Sequence, residues 1–294
     1  MPRMRRWLEV SLDLPADAAD AAAGWLVDQG ALGLIEEERN DRRLLRAHFD
    51  RTEHERDLGQ AARAFLDGID EFFPGSAAGR VEVAAFDDQD WFESWKASFP
   101  PILLGRRLCV RSPWSPPPGP ERLDIEIRPA MAFGTGHHAT TVGCLLGIEE
   151  LFDREGALSP VLEVGTGSGI LTIAAAKLGA GELCAVDVDP VAIDAASENV
   201  RRNGVEPTVR LRLGSLEQAS GRFRLIVANL TSELLRRMGA GLAERAAPGG
   251  WLIVSGIVDR ERDEVCAAMS AVGWMLRAER SADGWSTLTL QHLG

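Results

Sequence analysis

The run Val161-Leu-Glu-Val-Gly165-Thr-Gly167-Ser-Gly169-Ile170 restricts the fold of this chain more than any other segment. An apolar strand breaks into three glycines at alternate positions, and a helix-forming stretch follows at once. A second apolar run then closes on Asp187. Strand, glycine turn, helix, strand and acid, in that order, make a nucleoside pocket at the carboxyl edge of a parallel sheet. The spacing narrows the ligand. A dinucleotide fingerprint reads G-x-G-x-x-G, with the pyrophosphate on the helix N-terminus. Here the glycines run G-x-G-x-G, and Ile170 occupies the place of the third dinucleotide glycine. No lysine follows, which removes a P-loop. Two other readings stay open at this point: a glycine turn that only joins strand to helix, and an NAD site, which Ile170 disfavours.

Downstream the chain alternates strand and helix. Strands are expected at 161–164, 183–186, 209–213, 225–228 and 252–255, with helices between them. Asn203-Gly204 ends one helix, Pro248-Gly249-Gly250 turns into the fifth strand, and a last helix spans about 260–272. Residues 274–280 and 285–291 form a hairpin across Asp283-Gly284. The expected product is a mostly parallel sheet with one antiparallel strand.

The N-terminal part reads as a separate small unit. Residues 7–14 alternate like a strand, 17–29 are Ala-rich and helical with Gly30 as the stop, and 32–37 and 44–49 pair as a hairpin. Residues 53–66 are amphipathic, and 80–86 form a final strand. The order β-α-β-β-α-β is that of a ferredoxin-like split unit. An acidic, aromatic helix candidate at 87–96 follows. Pro100-Pro101 and Pro116-Pro-Pro118 then punctuate a connecting stretch with strands near 107–110 and 122–128. The expected division is 1–88 for the small unit, 89–127 for linker and connecting chain, and 128–294 for the larger α/β domain.

Composition sets the class of partner. The 294 residues carry a formal net charge of −12. That field disfavours broad contact with a nucleic-acid backbone and attracts a basic partner. Cys109, Cys144, Cys184 and Cys266 form no CxxC or metal-type spacing and read as reduced thiols of a cytoplasmic protein. No signal peptide or membrane-spanning run is read, and a monomer is expected. Tyrosine is absent, so a phenolic base is excluded.

Two further segments carry chemistry. Phe133-Gly-Thr135-Gly-His137-His138-Ala-Thr140-Thr141 precedes the glycine motif and reads as a cofactor lid, against the plainer reading of a hinge loop with capping threonines. Adjacent histidines do not share a metal as an i, i+4 helix pair does, so no metal is expected. Asn229 ends the fourth strand, where a polar residue faces substrate. It is followed by Leu-Thr-Ser rather than Pro-Pro, which argues against adenine or glutamine amide nitrogens. Its plainer role is to cap the next helix.

The pattern E-x-G-x-G-x-G from Glu163, with Asp187 after it, is that of methyltransferases using S-adenosylmethionine (SAM). In that setting Gly165 and Gly167 let the backbone approach the cofactor, and Asp187 accepts both ribose hydroxyls. Over nearly its whole length the chain resembles the PrmA family, the bacterial methyltransferases of ribosomal protein L11. The resemblance rests on Asp90-Trp91 through Trp95-Lys96, the 133–141 block, the glycine motif, Val186-Asp187-Val-Asp189-Pro190, Val227-Ala-Asn229-Leu230 and Ser255-Gly256-Ile257. It implies a seven-stranded SAM-dependent methyltransferase domain, Rossmann-like, behind a ferredoxin-like domain that grips the ribosomal protein. It also implies that Thr141, Gly165, Asp187 and Asn229 contact SAM, leaving S-adenosylhomocysteine (SAH) as product. The expected reaction is N-methylation of lysine side chains or the N-terminal amine. The Asn229 carbonyl would orient the amine, with Thr135 or His138 assisting from the lid. The competing substrate is another basic protein or a small amine. An RNA target is disfavoured by the acidity, and a non-catalytic SAM-binding factor by the intact glycine loop, Asp187 and Asn229.

Overall fold

The computed structural model describes residues 6–31, 33–39, 42–50, 57–87, 100–128, 136 and 138–293. The chain divides into two compact units, Met1–Ser98 and Phe99–Gly294.

In the first unit the alternating N-terminal run is strand β1 (Arg6–Pro15). Val10, Leu12 and Leu14 are buried; the residues between them, on the opposite face, are Ser11 and Asp13. Helix α1 (Ala19–Asp28) follows a 3-10 turn, and Gly30 ends that segment at φ +91°. β2 (Gly33–Arg39) and β3 (Arg42–Asp50) are an antiparallel hairpin. Helix α2 (Leu58–Ile69) is capped by Asp57, which accepts from Gly59 N at 3.0 Å and Gln60 N at 3.1 Å, and positions 53–56 of the expected helix lie outside the described residues. β4 (Arg80–Asp87) completes a sheet of order β2-β3-β1-β4. Every neighbouring pair is antiparallel, which is the ferredoxin-like arrangement. Leu26, Leu45, Phe49, Ala62 and Leu66 join β1 in the core. The helix candidate at 87–96 lies outside the described residues beyond position 87.

The second unit opens with a feature the sequence pattern did not announce as a sheet. β5 (Ile102–Leu104), β6 (Leu108–Arg111) and β7 (Leu123–Glu126) form three short strands, β5 antiparallel and β7 parallel to β6. Helix α3 (Ala139–Glu155) leads into β8 (Val161–Val164), α4 (Ile170–Lys177) and β9 (Leu183–Asp187). Then come α5 (Pro190–Arg202), β10 (Val209–Leu213), β11 (Phe223–Asn229) and α6 (Ser232–Arg245). β12 (Ala246–Val258), α7 (Arg262–Ser270) and the hairpin β13 (Trp274–Ala282) and β14 (Trp285–His292) end the chain. The seven-stranded order is β10-β9-β8-β11-β12-β14-β13. β8 to β12 run parallel, and β14 is antiparallel to both of its neighbours.

The central strands are mostly apolar because both faces are covered. Leu225 and Val227 of β11 belong to one hydrophobic cluster, with α3 and α4. Ile226 and Ala228 belong to the other, with α6 and α7. Chain progression reverses between β8 and β11, so the carboxyl ends of these strands open a crevice at a topological switch point. No helix among the described residues is long and apolar enough to cross a membrane.

Candidate active site

A cavity of about 320 Å³ lies in that crevice. The size falls in the ~300–1,000 Å³ range of small-molecule sites. One side is the turn after β8. Gly165, Gly167 and Gly169 adopt φ +77°, +53° and +81°, which side chains rarely tolerate. At Gly165 space is also missing: a Cβ would lie 2.6 Å from Leu230 Cδ2. The turn is pinned by its own backbone, since Gly165 N and Thr166 N both donate to Val186 O, at 2.9 and 3.1 Å. Buried Asn199 of α5 adds a tether, donating through Nδ2 to Ser168 O at 2.9 Å and accepting from Arg128 N at 3.0 Å.

Two carboxylates frame the cavity in different ways. Asp187, at the end of β9, accepts from Gly167 N on Oδ2 (2.8 Å) and from Asp189 N on Oδ1 (3.0 Å). These bonds fix the group, and each oxygen keeps a lone pair for a ligand. Glu163 is 2% exposed. Its Oε2 accepts from Thr166 Oγ1 (2.7 Å), Thr172 N (3.0 Å) and Thr172 Oγ1. Burial pushes the Glu163 carboxyl up to about 7; the Thr172 and Thr166 bonds oppose the shift, and the Asp187 charge adds to it.

The far wall comes from β11 and α6. Asn229 and Leu230 end the strand, and Leu234 and Met238 of α6 project one helical turn apart. Asn229 does not cap α6, whose N-cap is Thr231. Instead its Nδ2 donates to Thr140 Oγ1 at 3.2 Å and to Thr141 Oγ1 at 3.5 Å. The N-cap of α3 is neither threonine but His138, whose Nδ1 accepts from Thr140 N at 3.3 Å. The same Nδ1 is 2.7 Å from Thr140 Oγ1. The His138 ring meets Trp285 edge to face at 5.2 Å between centroids. Burial lowers the pKa of this imidazole, against the opposing field of Asp283.

Of the residues singled out from sequence, Thr141, Gly165, Gly167, Asp187 and Asn229 all line this one cavity. His138 is not among the lining residues and is linked to Asn229 through Thr140. Thr135 lies outside the described residues. Glu163 was visible as the acid of the glycine motif but was not assigned to the site. Leu234 and Met238 follow Asn229 at helical spacing, a signal that could have found them. Thr140 sat beside a singled-out residue, and nothing in the sequence linked it to Asn229. Trp285 carries no local signal. Among the described residues no three His, Cys, Asp or Glu side chains gather as a metal site would need.

A family model described as ribosomal protein L11 methyltransferase (PrmA) matches residues 6–292. The chain is similar to the protein of that name from Pelobacter propionicus, at 36% identity over 95% of this chain and 96% of the relative. It is also similar to the one from Citrifermentans bemidjiense, at 38% identity over 90% and 92%. Among solved structures, the ribosomal protein L11 methylase of Lactobacillus delbrueckii subsp. bulgaricus matches with a TM-score of 0.61 and 33% identity. That match covers 66% of this chain and 99% of the other.

Proposed function

The chain belongs to the ribosomal protein L11 methyltransferase family, whose members depend on SAM, and from that premise we propose that it methylates lysine side chains, the N-terminal amine or both on ribosomal protein L11. The convergence of Thr141, Gly165, Gly167, Asp187 and Asn229 on one cavity carries the reading. The donor set fits SAM. Asp187 has unshared lone pairs for vicinal hydroxyls, the glycines have no Cβ to fill the approach, and Leu171, Val186, Val188 and Met238 supply an apolar wall.

In this reading Asp187 holds the ribose, Gly165 and Gly167 accept the close approach of the ligand, and Thr141 and Asn229 border the reacting end. Bound SAM supplies a methyl group on a sulfonium: a nitrogen lone pair forms the N–C bond as the S–C bond breaks, leaving SAH, and the surplus proton goes to water. A free lysine arrives protonated, with a pKa of about 10.4. Desolvation in the crevice lowers that value and makes the neutral amine available. The Asn229 carbonyl accepts an N–H of that amine and aligns its lone pair for in-line attack. The first unit holds the ribosomal protein, and the net charge of −12 favours a basic partner. The protein is taken to act as a cytoplasmic monomer.

The test is intact-mass spectrometry of L11 incubated with the enzyme and SAM. Gains of about 14 Da per methyl, mapped to lysine or the N-terminal amine, are expected. No gain, with SAM binding shown separately by calorimetry, would move the substrate to another basic protein or a small amine.

A further inference from the structure

The side-chain amide of Asn229 can face the cavity with either its carbonyl or its NH2 group, and only the carbonyl suits an amine nucleophile. An NH2 group in that place would donate to the nitrogen lone pair and occupy the electrons that must attack. What sets the orientation is therefore part of the chemistry.

One unambiguous donor fixes it. The backbone N–H of Thr140 can only donate, and it donates to His138 Nδ1 at 3.3 Å. That nitrogen is therefore bare, and the neutral ring carries its proton on Nε2. Thr140 Oγ1 lies 2.7 Å from the same bare nitrogen, so its hydroxyl proton must point there. The hydroxyl then has only lone pairs left for Asn229, 3.2 Å away. Asn229 must meet it with Nδ2, and its second amide proton is directed to Thr141 Oγ1 at 3.5 Å. Both N–H groups are committed to threonines, and the carbonyl is the arm left for the cavity that Asn229 lines. Trp285 meets the imidazole edge to face beside this chain of bonds. A neutral imidazole is needed throughout; burial favours it, and Asp283, on the β13–β14 turn, is the charged group that opposes it.

We propose that His138 is a positioning residue: its bare Nδ1 orients the Thr140 hydroxyl, which locks the Asn229 amide with its carbonyl toward the incoming amine. The proposal rests on the methyltransferase reading above for its kinetic consequence, but not for its geometry. It gives the assisting role expected of His138 a specific form, exerted through Thr140.

Two measurements on the full-length chain test it. The first is steady-state methylation of L11 with separate calorimetric SAM affinity for His138→Ala, Thr140→Val, the double variant and His138→Asn. Asn places an acceptor oxygen where Nδ1 stood. Each of the first two variants should lower kcat by roughly 10- to 100-fold, the loss of an oriented hydrogen bond, with SAM affinity changed less than about threefold. The double variant should be no worse than the poorer single one within about threefold, because both cut the same chain of bonds. His138→Asn should recover most of the rate. If His138 only caps α3, the two losses multiply and SAM affinity falls with kcat, which overturns the proposal. The second measurement is ¹⁵N NMR of histidine-labelled enzyme, with the His138 signal assigned by its loss in His138→Asn. A bare Nδ1 and protonated Nε2 are expected, and an Nδ1–H tautomer refutes the mechanism outright. The NMR result needs no substrate. An enzyme that leaves L11 unmethylated but shows the expected tautomer fails the substrate assignment alone.

Discussion

Glu163 links the stability of the second unit to pH, and the size of the link follows from its surroundings. The carboxyl is buried beneath the glycine turn, and its folded-state pKa is raised from 4.5 to about 7. Below about pH 4.5 the group is protonated in both folded and unfolded chains, and its full contribution is present. As pH rises, the unfolded chain ionises first while the folded one holds its proton. Stability is lost until the folded carboxyl ionises near pH 7. The gap is about 7 minus 4.5, or roughly 2.5 units, worth about 3 kcal/mol at ~1.36 kcal/mol per unit. Glu163→Gln removes the titration while keeping an oxygen for Thr166 and Thr172. Urea unfolding of both proteins between pH 4.5 and 8 should show the wild type losing about 3 kcal/mol relative to the variant. Taking the difference cancels the other groups that titrate in this range, and following the transition of the second unit avoids treating two units as one. A difference that stays constant within about 0.5 kcal/mol across that range would refute the reasoning.

Gly165→Ala must adopt φ +77° and place a Cβ 2.6 Å from Leu230 Cδ2; the left-handed conformation costs roughly 1–2 kcal/mol and overpacking about 1–3 more. Chemical unfolding should register the sum, and calorimetry should find SAM binding abolished; an alanine variant that binds SAM normally contradicts the assigned contact. Asn229→Ala should lower kcat about 100-fold or more, some 2.7 kcal/mol, with SAM affinity within about threefold. Equal loss in both constants would make Asn229 a cofactor ligand rather than a group acting on the amine. Association with L11, followed by stopped-flow, should slow by roughly tenfold or more between about 50 and 500 mM salt, as expected for steering by an acidic protein. A salt-independent rate removes that argument.

The bonds that assemble the reacting end have long reach in sequence. Asn229 and Thr140 are 89 positions apart, and His138 meets Trp285 from the last hairpin. Both contacts depend on α3 crossing the sheet closely enough to reach β11 and β14. Gly143 permits that approach, since a Cβ there would lie 2.1 Å from Thr287 Oγ1. On the β14 side Thr287 is itself held by Ser255, whose Oγ is 2.8 Å from Thr287 Oγ1. A catalytic orientation thus depends on helix–sheet packing well outside the cavity.

By itself the sequence determined the elements whose local pattern is self-sufficient. Strand 161–164 stands where its apolar run puts it, because buried parallel strands are apolar on both faces, and edge strand 209–213 stands where Val209, Leu211 and Leu213 alternate with Arg210 and Arg212. The glycine turn was legible because three residues must adopt positive φ, and Asp187 because it ends a strand. Elsewhere hydrogen bonding outran the side-chain pattern. β12 extends over Ala246–Val258, beyond the expected 252–255, because Ala246 already pairs with Phe223, and the register shifts across the proline and glycine segment before Trp251 pairs with Leu225. β5 has three residues, too few for any periodicity to show. The tertiary structure alone decided the partners: that Asn229 turns to the threonines of α3 instead of capping α6, that His138 is itself the cap, and that Glu163 is desolvated enough to shift its titration. The physical reason is range. Backbone conformation and apolar periodicity act over a few residues, whereas the direction of a hydrogen bond and the dielectric around a carboxylate depend on which distant segments the strand order brings together.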